Sequence, residues 1–190
     1  MLDNLLIPMG RAAVYLLEAF ALLVIAKWAY TGLYRRVDLK AELFDKGNVA
    51  LAVSVAGYLF GVTIALGGVL AGPSAGWQAD LTAIALFGVM TIAMMLVASW
   101  LCEKVLLPRF DNTREVVEDQ NLGTAFVEAG VHIANGLILL SIQQGTGAWW
   151  VGVVFWALAQ AVLLILGRLY EMATPHSIHE QLEGDNAAVG

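Results

Sequence analysis

Residues 48–71 read NVALAVSVAGYLFGVTIALGGVLA. After Asn48 come 23 residues without a single charge, with Ser54, Tyr58 and Thr63 the only hydroxyl-bearing side chains among them. A helix needs about 20 mostly apolar residues to cross the hydrocarbon core of a bilayer. Backbone polar groups in lipid must be satisfied inside the segment or in a closed barrel. The run is continuous and lacks the two-residue alternation of a barrel strand, so the stretch is a transmembrane helix. Working outward, four more stretches meet the same test, at 12–34, 81–106, 122–142 and 149–170. The predicted fold class is an all-α polytopic transmembrane bundle of about five spans.

Composition supports this over the whole chain. Of 190 residues, 59% are hydrophobic and 14% charged, and the mean hydropathy is +0.74. Soluble domains are about 45–50% apolar and about 25% charged, so there are too few charges here to cover a water-exposed surface. Ten Lys and Arg against sixteen Asp and Glu give a net charge of -6, which argues against a nucleic-acid partner. A lone cysteine, Cys102, excludes an internal disulfide and a cysteine-rich metal centre. No glycine-rich phosphate loop, nucleophile elbow or His-Glu-x-x-His pattern is present. The opening MLDNLLIP lacks a basic region, and no cleavable signal is expected.

The connectors are unequal. Segments 72–80 and 143–148 are short and nearly uncharged, whereas 35–48, 103–121 and 171–186 carry most of the charge. The long-connector side holds Arg35, Arg36, Lys40, Lys46, Lys104, Arg109, Arg114 and Arg168, while the other holds Arg11; Lys27 lies within the first span and is expected to reach back to the interface. Cations mark the cytoplasmic side. The expected topology is an N-terminus outside and a C-terminus in the cytoplasm. Trp77, Trp149 and Trp150 fit an outer aromatic belt, and Tyr30, Tyr34 and Tyr170 an inner one.

The chain also looks self-similar. A Glu precedes an Asn by six residues three times: Glu42 and Asn48, Glu115 and Asn121, Glu180 and Asn186. Each Asn opens a small-residue apolar run, and Gly57 and Gly130 follow the first two at equal distance. The exits match as well, with Glu103 before Pro108 and Glu171 before Pro175. The unit is a two-helix hairpin in parallel repeat. The predicted organisation is an N-terminal helix and connector over 1–47, a first hairpin over 48–120, a second over 121–185, and the start of a third, truncated one at 186–190. The Asn residues suit helix N-caps, and the Glu residues suit the helix dipole. Gly57, Gly61 and Ala65 form a small-residue packing stripe, and Gly130 is grouped with them.

The paired hairpins with their NVALAVSVAGY motif resemble the YjfL-like bacterial inner-membrane proteins, which carry a domain of unknown function of the 350 type. The resemblance covers roughly 41–190. It implies an inner-membrane location and an all-helical fold, and it transfers no activity and no catalytic residue.

The fourth span carries the best candidate site. Asn121, Thr124, Glu128, His132 and Asn135 fall at steps of three or four and so share one helix face. Glu128 and His132 are one turn apart and can touch. Ionisable residues in lipid are costly and mark function, and an imidazole beside a carboxylate can pass a proton. This face is either a proton relay or small-cation site, or a buried hydrogen-bonded joint between helices. Glu18, in the first span, is a further polar candidate. His176, His179, Glu180 and Glu183 have a spacing compatible with a cation but read as a solvated connector, and Cys102 reads as a small buried hydrophobe. No metal and no cofactor are expected. No cluster unites a nucleophile, a base and an orienting group, so an enzyme is not expected. The expected partners are the bilayer and either a second copy or another membrane protein. Two functions stand: proton or small-cation conduction or coupling, and a scaffold that recruits proteins through its acidic connectors.

Overall fold

The computed structural model describes residues 3–34, 37–106, 111, 113–145, 148–175 and 177–190, with side chains at all of these except 3, 4, 34 and 179. Arg35, Arg36, Pro108, Arg109 and His176 lie outside the described residues, as do the side chains of Tyr34 and His179.

Among the described residues five long helices make up the bundle: α1 (Asp3–Thr31), α2 (Val49–Leu70), α3 (Trp77–Leu101), α4 (Leu122–Gln143) and α5 (Trp149–Ala173). A short α6 (Ile178–Glu183) follows, and no strand occurs among the described residues. Five described segments are long and apolar enough to cross a membrane: Leu5–Thr31, Val49–Leu70, Trp77–Leu106, Leu122–Gln143 and Trp149–Ala173. The all-α, five-span expectation holds.

Two helix starts differ from the sequence reading. The first helix begins at Asp3 rather than near residue 12, running through Pro8 and Gly10. Pro8 is the sixth residue of this helix, past its free first-turn amides, so it removes one backbone bond there. The third helix begins at Trp77 rather than 81. Its early charge, Asp80, accepts the Ala75 amide at 2.9 Å and the Ser74 and Tyr15 hydroxyls at 2.6 and 2.9 Å. A satisfied carboxylate in an opening turn suits the positive end of the helix dipole.

The starts of α2 and α4 are built alike. Each follows a π-helical turn, Ala41–Asp45 or Arg114–Glu118. Gly47 and Gln120 then turn the backbone left-handed, at φ 64° and 52°. Asn48 and Asn121 cap the helices by accepting the Leu51 and Thr124 amides, both at 2.9 Å. Their own amide groups donate onward, from Asn48 to the Val116 and Val117 carbonyls and from Asn121 to that of Leu182. Each cap thus ties a helix start to the connector that follows one hairpin later. Asp185, at φ 53°, precedes Asn186, whose side chain accepts the Ala188 amide at 3.2 Å.

The helices α2 and α4 run parallel and form the closest pair. Gly57 lies against Ala129, Gly61 against the backbone of His132 and Gly136, and Gly68 against Leu140. A Cβ at any of these glycines would strike the opposing helix, so the contact depends on their lacking one. Ala65 is fully buried in the core cluster with Tyr58, Val62, Leu66, Met95 and Leu139. Gly130 is placed differently: a Cβ there would meet nothing, because α4 turns its Ala129 side, not its Gly130 side, toward α2. Helix α5 is peripheral and buries only Trp156 and Gln160.

Candidate functional site

The predicted polar face of α4 points into the bundle. Thr124, His132 and Asn135 are at most 1% exposed, and Asn121 and Glu128 are also buried. Helix rise places Glu128 about 10 Å and His132 about 16 Å above Asn121, so the pair lies within the lower half of a span about 33 Å long.

What surrounds the pair comes from other helices. Ser54, on α2, donates its hydroxyl to Oε2 of Glu128. Tyr30, near the end of α1, lies 2.8 Å from the Ser54 hydroxyl and 3.4 Å from Nε2 of His132. The Tyr30 ring stacks on Tyr58 of α2, with centroids 4.1 Å apart, and the imidazole stands edge-on to both rings. The sequence placed Tyr30 in the inner aromatic belt; the structure instead buries it at 2% exposure. Its hydroxyl finds partners inside the bundle, which lets a tyrosine leave the interface. Tyr170, by contrast, is exposed, as are Trp77, Trp149 and Trp150.

Glu128 and His132, one turn apart on α4, are within reach of each other by helix geometry. The structure links them through two hydroxyls, those of Ser54 and Tyr30. One consistent proton assignment follows. With the Ser54 proton on Glu128, Tyr30 donates to Ser54, and His132 donates from Nε2 to Tyr30. In this tautomer Nδ1 is the unprotonated nitrogen, and it has no hydrogen-bond partner among the described residues. Every donor in the chain points toward the carboxylate.

Above His132 the polar stripe changes character. Asn135 donates to the Val131 carbonyl at 2.9 Å and accepts from the amide of Gln160 on α5. The next residue on this face, Leu139, is 1% exposed. Nearer the far end, Gln143 donates to the Thr91 hydroxyl of α3. Below the pair, a cavity of about 100 Å³ touches Glu128, His132 and Tyr30 and extends past Ser99 and Cys102 to Glu103 and Thr113.

The other candidates stand apart from this chain. Glu18 is partly buried on α1, and its Oε2 has no hydrogen-bond partner among the described residues. The three repeated Glu residues do unlike work. Glu42 pairs with Lys46 at 2.6 Å, Glu115 accepts from the Asn121 amide at 3.1 Å, and Glu180 is exposed on α6. Burial holds the Glu115 carboxyl above its ordinary 4.5, with the Asn121 bond working against that rise. Cys102 is buried beside Val131 and Leu182, and Lys27 is exposed. No group of three or more His, Cys, Asp or Glu with metal-site geometry occurs among the described residues.

The sequence reading missed Tyr30, Ser54, Tyr58 and Gln160. Gln160 carried a signal, as the one amide in an otherwise apolar mid-span stretch. The others look like ordinary hydroxyl residues of a membrane helix.

Five apolar spans closed around a buried polar chain define a multi-pass helical membrane protein. The family model described as Domain of Unknown Function (DUF350) matches residues 1–142, and the chain belongs to that family. The match takes in α1, which the sequence resemblance had left out, and ends within the last turn of α4. No curated protein and no solved structure matches the chain.

Proposed function

We propose that this protein lies in a bacterial inner membrane, with its long connectors and C-terminus in the cytoplasm and its N-terminus outside. It conducts or couples to protons or a small cation through Glu128 and His132, and it catalyses no covalent reaction. The observation that carries this reading is the hydrogen-bonded chain His132–Tyr30–Ser54–Glu128. Two titratable groups joined by two hydroxyls can exchange a proton if both hydroxyls reorient, and no side chain need travel. Ionisable groups are otherwise a costly choice at this depth. The orientation is supported by Lys40, Lys46, Lys104, Arg114 and Arg168 at the connector side, against Arg11 at the other.

The test is proton and cation flux in reconstituted vesicles. Native protein should dissipate an imposed gradient, whereas Glu128→Gln and His132→Gln should not. Equal flux in native and variant proteins, or none in either, overturns the assignment.

We also read 48–120 and 121–185 as copies of one hairpin, with 186–190 opening a third. What supports this is the shared start: a left-handed residue, then an asparagine whose side chain accepts a following amide, at 47–48, 120–121 and 185–186, with a helix capped at the first two.

The scaffold reading draws on one feature, the exposed connector residues Phe44, Glu118 and Asp119 on the cation-rich face. In that reading a second copy or another membrane protein joins the bilayer as partner. Loss of a co-purifying partner in Phe44→Ser or Asp119→Lys, with flux absent in all forms, would favour it.

A further inference from the structure

The polar chain is not alike at its two ends. Toward the connectors, the 100 Å³ cavity runs from Glu128 and His132 to Glu103 and Thr113 at the end of α3 and the start of the next connector turn. Tyr30 and Ser99 line it along the way, together with the apolar Leu33 and Trp100. Its volume has room for a few waters and none for an organic solute, since ligand pockets run from about 300 Å³ upward.

Toward the opposite face the chain stops. Both ends of the Asn135 amide are engaged, its nitrogen by the Val131 carbonyl and its oxygen by Gln160. Gln160 is itself 4% exposed. A carboxamide has no hydroxyl that could take up one proton while releasing another, so the hydroxyl relay does not continue through this clasp. One turn further, Leu139 offers no polar atom and is packed in the core cluster with Leu66, Ala65 and Met95. The next polar pair, Thr91 with Gln143, lies beyond that apolar layer.

We infer that Glu128 and His132 are loaded from the connector face alone, by water, hydronium or an ion of similar size, and that the Asn135–Gln160 clasp with Leu139 above it seals the site from the other face. Gln160 and Leu139 are thus residues that set the sidedness of access without touching the ion. The inference takes its purpose from the relay reading, but its test reads access rather than transport, so the two can fail separately.

Cys102 lines the cavity and is the only cysteine in the chain, which makes it a native reporter. The probe is the silver ion, applied to one side of sealed vesicles of phosphatidylethanolamine and phosphatidylglycerol. Blocking is read as loss of later alkylation of Cys102 after unfolding. In the native protein, silver on the connector side should block Cys102 and silver on the opposite side should leave it alkylatable. In Gln160→Ala combined with Leu139→Ser, silver should block it from both sides. Blocking of the native protein from both sides, or from the opposite side alone, overturns the seal. No blocking from the connector side overturns the inlet. A folded double variant that stays closed from the opposite face removes the clasp and Leu139 from the role.

Discussion

Gly61→Ala tests the contact on which the site depends. A Cβ built on Gly61 would collide with the carbonyl oxygen of His132 and stand 2.9 Å from its carbon and from Cε of Met95. The methionine methyl can swing away, but the helix backbone cannot. Non-bonded heavy atoms settle about 3.5–4.0 Å apart, and with the carbonyl oxygen the tightest contact α2 and α4 must part by at least about 1 Å. Overpacking of this kind costs about 1–3 kcal/mol. The same parting stretches the Ser54–Glu128 bond across the same interface, and a hydrogen bond to a charged group contributes about 1.5–3 kcal/mol. Against this, alanine favours the helix over glycine by about 1 kcal/mol. The expected net loss is about 1.5–5 kcal/mol, measured by reversible denaturation in mixed detergent micelles. Gly67→Ala and Gly130→Ala are the controls, since a Cβ at either meets no atom within 4 Å; both should be neutral or stabilising. If Gly61→Ala unfolds with its controls, the backbone contact between α2 and α4 is not as described.

Other outcomes follow from the same geometry. Tyr30→Phe and Ser54→Ala each remove one hydroxyl from the chain and should abolish vesicle proton flux while leaving helix content by circular dichroism unchanged; undiminished flux would break the relay. Asn48→Ala should destabilise by about 1–2 kcal/mol through the lost cap, and by more if its buried amide bonds to Val116 and Val117 hold as drawn; a change under about 0.5 kcal/mol would contradict the buried cap. Because Glu115 is held above 4.5 by burial, its folded form favours the proton. Its stabilising contribution is therefore present below its unfolded value and fades as pH rises through the raised one. Glu115→Gln should flatten that decline in unfolding experiments run upward from pH 4, and an unchanged slope would refute the assignment.

The legibility of the site follows from the same physics. The α4 stripe at 121, 124, 128, 132 and 135 could be read because helical periodicity alone puts those residues on one face. Nothing local showed that Ser54 and Tyr30 would link Glu128 and His132, or that Gln160 would reach Asn135. Tyr30 at a helix end looked like an interface residue, and its hydroxyl bonds to Ser54 and His132 together with its stacking on Tyr58 draw it inward. Gly130 repeats Gly57 in sequence, yet the two are neighbours of quite different things.

From residues alone came the helical class, the number of crossings and the asparagine starts of α2 and α4. Lipid offers the backbone no partners, so each span must satisfy itself within its own stretch of chain, and that demand is written locally in run length and apolarity. The rotation of each helix about its axis is not written there, because a uniformly greasy surface fits against a neighbour in many settings. Only the tertiary contact of Gly57, Gly61 and Gly136 across α2 and α4 selects one setting, and with it which hydroxyls and amides meet the buried carboxylate and imidazole.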